Sequence, residues 1–310
     1  MVYPPLEVRQ RYGLEFETAL STAPRIDKIP GAFFWRCRFT GRNAPAMNRA
    51  VRNRLANLLL GAFGDPAKRE AILRLALYWE LCGDERQPRI SVPDVEAAWT
   101  RRYPELAVHP RTFAEATAEL QGVLEVRGVV DVLGHGVHTS ESQDSVTPWY
   151  EPHPDVLSFL ATADERVRIY AQVVREGAAR SSAFEQLEPL HRGVAEASIC
   201  FNAGLFFEAH EHLEGHWLQL PPTPTKSFVQ GIIQISVGFH HAMRGSYQGA
   251  VNQLGKGLAK LAEAPEEALG LDRDRFVREV EAARQAIVAR GRQRMRQAAL
   301  QELPRMHLLR

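Results

Sequence analysis

Cysteine is scarce in this 310-residue chain: Cys37, Cys82 and Cys200 are far apart, odd in number and outside any C-x-x-C pairing. That argues against a disulfide framework or a thiolate zinc site and fits a reducing cytoplasm. Charge of one sign is also lacking. Lys and Arg number 38 against 37 Asp and Glu, a net charge of +1, so attraction to nucleic acid or membrane has to be local. No apolar run approaches the roughly 18 residues that a membrane span needs. No charged start followed by an apolar stretch marks an export signal, and the sequence predicts neither export nor insertion. Several motifs are missing as well. There is no G-x-G-x-x-G, no G-x-x-x-x-G-K-[ST], no H-E-x-x-H and no G-x-S-x-G, which leaves nucleotide loops, zincin sites and the nucleophile elbow unsupported. No serine or cysteine has a neighbourhood that marks a nucleophile, and Cys200 in an apolar helix reads as a core thiol.

What is present describes a soluble globular protein: 45% hydrophobic and 24% charged residues suffice for a sizeable core and two domains. The clearest composition shift is "TSESQDSVTPWYEPHP", where polar residues and three prolines interrupt every apolar period. The expected division is therefore 1–138, a linker 139–155, and 156–310. The expected fold is mainly α. In the N-terminal part, apolar residues at helical spacing over 46–63 and 66–81, with Asp65 as N-cap before Pro66, predict two helices. Two shorter ones follow over 93–103, capped by Ser91 or Asp94, and over 110–120. The Val-rich "VLEVRGVVDVLGHGVHT" then reads as a small β-hairpin.

Helices followed by a hairpin resemble, by pattern alone, a winged helix-turn-helix over 66–139. Arg111 and Thr112 would start its recognition helix, although Glu115 and Glu119 on that helix would repel phosphates. Ahead of it, Arg25, Lys28, Arg36, Arg38, Arg42, Arg49, Arg52 and Arg54 are opposed only by Asp27, with Phe33, Phe34 and Trp35 among them. A basic stretch with aromatics suits nucleic acid, DNA included. The plain alternative is arginines coating a helix and a protein-interaction module.

Beyond the linker six helices are expected, over about 164–179, 187–202, 206–218, 227–243, 247–261 and 273–300. The third, "FFEAHEHLEGHW", is crowded with histidine and glutamate. At about 100° per residue, Phe206, Leu213 and Trp217 form its apolar stripe, with His210 and Glu214 beside it and Glu211 and Glu208 continuing round. His212 and His216 fall on the opposite flank. A His and carboxylates one turn apart offer N and O ligands to a divalent cation such as zinc or manganese. On the next helix Gln230, Gln234 and His241 share a polar stripe with Val237. If the two helices pack antiparallel, His241 joins the ligands and the glutamines stand behind them. A buried His paired with Glu and holding no metal explains the same residues. "GLFFEA" and "GSYQGA", 41 residues apart, suggest a helical-hairpin repeat with Gly204, Phe206, Ala209, Gly245, Tyr247 and Ala250 in architectural roles.

"FNAGLFFEAHEHLEGHW" and "FVQGIIQISVGFHHAMRGSYQGAVNQLGKGLAKL" resemble the bacterial and plastid family known as domain of unknown function 309, from about residue 187 to the "LPRMHLL" ending. The resemblance implies a compact all-α domain, described by some classifiers as a metal-dependent hydrolase. It places the characteristic polar positions at Glu208, His210, Glu211, Glu214, Gln230, Gln234 and His241, without His212, His216 or His240. The resulting expectation has Glu211 as base, His210, Glu214, His241 and Glu208 as metal ligands, and Gln230 and Gln234 behind them. Fused to this is a nucleic-acid-binding N-terminal half; a homodimer is compatible with the sequence and a membrane partner is not. The competing expectations are a non-enzymatic DNA-binding regulator and a helical-repeat interaction scaffold.

Overall fold

The computed structural model describes residues 48–83, 89–104, 106, 118–128, 147–157, 159–263, 268–301 and 303–309. The described chain is mainly α with one small sheet. It divides into two compact units, Gly41–Val174 and, from the second half, Arg175–Arg310. Among the described residues no helix is long and apolar enough to cross a membrane.

The first unit begins with α1 (Arg49–Ala62) and α2 (Pro66–Cys82). Asn48 caps α1, its side chain accepting from the Ala50 N–H at 2.6 Å. Asp65 caps α2 in the same way at 2.8 Å from Ala67, with Pro66 at the first helical position where its missing N–H costs nothing. A two-residue strand β1 (Ile90–Ser91) leads into α3 (Val92–Arg102), where Ser91, one of the two caps the sequence offers, is the cap: its Oγ accepts from the Asp94 N–H at 3.1 Å and donates to the Asp94 carboxylate. Strands β2 (Leu124–Arg127) and β3 (Trp149–Pro152) complete an antiparallel sheet of order β1-β3-β2, with Tyr150 opposite Ile90 on one side and Val126 on the other.

The central strand therefore comes from the stretch whose composition reads as a linker. Its alternation is real but brief: Tyr150 and Pro152 are buried while Trp149 and Glu151 are half-buried. Four residues ending in proline carry too little period-2 signal to outweigh the polar residues around them. Within the Val-rich segment, residues 124–127 are the strand, and the predicted second arm at 129–139 lies outside the described residues. Around Tyr150 the core is aromatic, with Tyr78 edge-on at 6.3 Å and Trp79 edge-on to Tyr78 at 5.1 Å. Burial drives the Tyr150 hydroxyl pKa up to about 12. Arg74, almost wholly buried, is neutralised by Glu70 at 2.9 Å and by Glu96, and lies over the Trp99 ring at 4.3 Å.

After the one-turn α4 (Pro154–Leu157) comes α5 (Leu160–Ala179), inside which the two units divide. The second unit continues through the one-turn α6 (Ser181–Phe184), α7 (Pro189–Asn202), α8 (Phe206–Leu218), α9 (Pro224–Met243), α10 (Tyr247–Ala262) and α11 (Arg273–Gln301). The long helices begin and end within a few residues of where the apolar period places them. Gly204 and Gly245 have φ of 75° and 81°, a conformation that a side chain disfavours, and each turns one helix into the next. Phe206 and Tyr247 open α8 and α10 at equivalent places, while Ala209 and Ala250 are fully buried, as the repeat predicts.

The core of this unit is a phenylalanine cluster. Phe201 meets Phe206, Phe239 and Phe276 edge-on at 5.0 to 5.9 Å, and Phe206 stacks on Phe239 at 5.2 Å. Such pairs add roughly 0.5–1.5 kcal/mol each beyond area burial. The chain end is tied to it: Asn202 exchanges two hydrogen bonds with the Met306 backbone at 2.8 and 3.0 Å, and Glu279 accepts from the Arg305 N–H at 2.8 Å. One difference from expectation is a break in α11 at Gly291, with φ 67°.

Candidate metal centre

Helix α8 forms without a side-chain cap on its first turn; packing of its apolar face against α7 and α9 holds it. Phe207 lies 5.5 Å from His240 at one end of the α8–α9 hairpin, and Lys226 lies over the Trp217 ring at 4.7 Å at the other. The two helices are thus antiparallel, as the site requires.

His210, Glu211 and Glu214 come together. Each offers a ligand atom within 4.8 Å of the others', and they are the one such group of three among the described residues. His210 Nε2 is 3.1 Å from Glu211 Oε1. The ring is only 14% exposed, whereas Glu211 is 42% exposed and Glu214 is also exposed. One imidazole and two carboxylates, open to solvent on one side, form a donor set that suits a borderline cation such as zinc or manganese. On the inner side, His210 Nδ1 is buried with no hydrogen-bond partner among the described residues. Burying an unsatisfied ring nitrogen costs about 1–3 kcal/mol.

Two of the other expected ligands lie elsewhere. Glu208 has no exposed surface, and its charge acts on the buried Cys200 thiol of α7, whose pKa is raised first by burial and then by Glu208. It stands about 160° from His210 round the helix, facing the core rather than the exposed edge that carries Glu211 and Glu214. His241 turns toward α10: a Cβ on Gly249 would come within 2.9 Å of its ring. The 20° by which His241 and Gln230 differ on a helical wheel says nothing of which neighbour the stripe meets. Gln234 has a buried side-chain oxygen with no partner among the described residues, while Gln230 is half-buried.

The opposite flank of α8 is ordered too. His212 Nε2 is 2.9 Å from Glu196 Oε2 on α7, and Arg192 Nε donates to Glu196 Oε1 at 2.8 Å. Burial alone would raise the Glu196 carboxyl; the hydrogen bonds from His212 and Arg192, with their charges, overcome it and hold the pKa below the usual value. Sequence spacing places His212 away from His210 correctly but has no means of finding its partner sixteen residues earlier.

Of the residues read as a nucleic-acid surface, Arg36, Arg38, Arg42, Arg111 and Thr112 lie outside the described residues. On α1, Arg49 and Arg54 are exposed and Arg52 is half-buried. They do not share one face: Arg49 and Arg52 are about 60° apart, and Arg54 points about 140° away from Arg49. The Arg54 guanidinium lies against Gly122, where a Cβ would meet it at 2.8 Å.

A family model described as "Domain of unknown function (DUF309)" matches residues 194–253, the segment that holds His210, Glu211, Glu214, Gln230, Gln234 and His241. "Uncharacterized protein YpuF" of Bacillus subtilis (strain 168) is 33% identical over 75 residues, which are 23% of this chain and 42% of that protein. The chain thus spans less than half the length of this curated relative. No solved structure matches the chain.

Proposed function

We propose that the second unit holds a divalent transition-metal ion at His210, Glu211 and Glu214 and serves hydrolytic chemistry on a small polar substrate. The observation that carries this reading is the gathering of three donors at the solvent edge of a helix whose ring nitrogen Nδ1 is buried behind them. A cation there would supply Lewis-acid polarisation of a substrate oxygen. His210 would contribute a ring nitrogen, the imidazole being held by packing against Phe207, whose ring is 5.0 Å away. Glu211, already paired with that imidazole, fits a donor role better than the role of base, because one carboxylate cannot both hold a cation and take up a proton efficiently. Gln234 on α9 likewise has a buried side-chain oxygen with no hydrogen-bond partner among the described residues, and a turn of its side chain onto the inner N–H of His210 would orient the ring as a ligand, the usual arrangement behind a metal-bound histidine.

Calorimetric titration of the untagged full chain with zinc and with manganese tests this. Micromolar binding that His210→Ala abolishes, and that Gln234→Leu weakens by roughly 10- to 100-fold, supports the reading. A chain that takes up neither metal leaves His210 and Glu211 as a metal-free His–Glu pair at the edge of the core.

A second reading, of a nucleic-acid surface on the first unit, is favoured by α1, which carries Arg49 and Arg52 about 60° apart and contains no acidic residue.

A further inference from the structure

We infer that α7 and α8 form a second transition-metal site, from His212, His216 and Glu196, on the flank of α8 opposite His210. Its donors are distinct from those of the first site, so it stands or falls independently of the hydrolase reading.

Spacing supplies the first argument. His212 and His216 are one helical turn apart, the separation at which two imidazoles on one face grip a single ion. A zinc–nitrogen bond is about 2.0–2.1 Å; with the ring centroid about 1.1 Å behind the nitrogen, a tetrahedral angle puts two ligating rings roughly 5.2 Å apart. The two ring centroids here are 5.3 Å apart, with the planes at 74°. The helix therefore sets the two rings at a compatible separation, while their nitrogens point to different neighbours, His212 to Glu196 and His216 to Gly193.

The third donor faces them from α7. Glu196 is 7% exposed at its side chain, and its Oε2 contacts His212 Nε2 at 2.9 Å. Its other oxygen is held by Arg192 at 2.8 Å, which fixes the carboxylate and leaves Oε2 for a cation. The His212 side chain is 12% exposed, so the seam is largely shielded from water.

Room comes from a glycine. Gly193 lies one turn before Glu196 on α7, and a Cβ there would fall 2.5 Å from His216 Nε2. With no side chain at 193 the ring lies directly over the α7 backbone. The cluster is looser than the His210 group, because His216 presents its Nε2 edge to Gly193 rather than to Glu196. Ligation takes a rotation of this half-buried ring and no backbone movement. On binding, the cation takes the place of the proton between His212 Nε2 and Glu196 Oε2, and the neutral ring, ligating through Nε2, carries its one proton on Nδ1. Two imidazoles and one carboxylate select zinc or a similar ion over magnesium or calcium.

Zinc titration of the untagged full chain by calorimetry, with cobalt absorption as a second readout, tests the assignment. Two equivalents are expected in the native chain. His212→Ala with His216→Ala removes one and leaves the other; His210→Ala does the reverse. Glu196→Gln, which keeps the shape and the contact to His212 but not the anionic donor, weakens the second site at least tenfold. Gly193→Ala, which crowds His216, weakens it too, and circular dichroism checks that each variant is folded. If the His212 and His216 variants bind as many equivalents as the native chain, or if Glu196→Gln leaves the second affinity unchanged, the site does not exist. Loss of all zinc in His210→Ala overturns this inference alone; no uptake by the native chain overturns both readings.

Discussion

Alanine at Gly257 and alanine at Gly255 should change stability in opposite directions, although the two positions are two residues apart in the same helix. Both lie inside α10, so each exchange gains about 0.8–1.0 kcal/mol of helix propensity. At Gly255 the new Cβ meets nothing closer than Arg284 Nε at 3.6 Å, an ordinary contact. At Gly257 it would sit 2.7 Å from the Gly231 carbonyl oxygen and 2.6 Å from Ile235 Cγ1 on α9. A carbonyl in a helix cannot turn aside, so the helices must separate, and such overpacking costs typically 1–3 kcal/mol. With two backbone atoms of α9 in the way, the Gly231 oxygen and the Ile235 nitrogen at 3.1 Å, the cost should fall at the upper end and leave a net loss of about 1–2 kcal/mol. The two variants should therefore differ by about 2–3 kcal/mol, read as opposite shifts of the urea midpoint at an unchanged slope. Because α9 carries Gln234, Gly257→Ala should also weaken zinc binding at His210. A neutral or stabilising Gly257→Ala would refute the close α9–α10 crossing described above.

Three further outcomes follow from particular groups. Burial lowers the folded pKa values of His191 and His307 beneath 6.5, against the partial opposition of Glu188 and Glu279 respectively. The unfolded chain then binds more protons, so their stability contribution is present above pH 6.5 and is lost as pH falls through the lower folded values. Urea midpoints should drop on going from neutral pH to about pH 5, and His307→Gln should flatten that fall; an unchanged slope would remove His307 from the account. Below the usual carboxylate value Glu279 adds a second loss: burial would raise its pKa, but hydrogen bonds from the Arg305 backbone and Arg275 hold it below 4.5, so its contribution disappears as pH falls through that lower value. If α1 meets phosphates, reversing Arg49 and Arg52 to Glu should abolish duplex DNA binding in a mobility shift, while reversing Arg54, on another face, should spare most of it. Replacing the pair with Gln should make the log–log salt slope shallower by about two, and no shift at low salt would leave these arginines as a solvated face.

Much of the second unit is written in local pattern. Helix α8 runs over residues 206–218 as its period requires, and Gly204 and Gly245 lie at the turns where the repeat places them. Intrahelical spacing places Glu214 beside both His210, four residues back, and Glu211, three back, on any α-helix whatever surrounds it, whereas the contact between the adjacent His210 and Glu211 depends on side-chain rotamers that the period does not set. The family match over residues 194–253 falls on the same segment. The sheet was less legible. Its centre is a four-residue strand among polar residues and prolines, and its partners at Ile90 and Leu124 are distant in the chain.

What only the tertiary structure decided is which face of each helix meets which neighbour. Helical period fixes the angle between two side chains on one helix but leaves the rotation of that helix against the next to the shapes that pack. Gly231, Gly238 and Gly257 let α9 and α10 approach closely, and that contact sets the His241 ring against Gly249. Burial of the Phe206 and Phe207 face likewise turns Glu208 into the core, toward Cys200. The same rotation sets His212 against Glu196 and His216 over Gly193. Sequence by itself therefore determined the helices, their turns and the His–Glu–Glu group within α8; contacts between helices depend on volume and close approach summed over both partners, and only packing could select them.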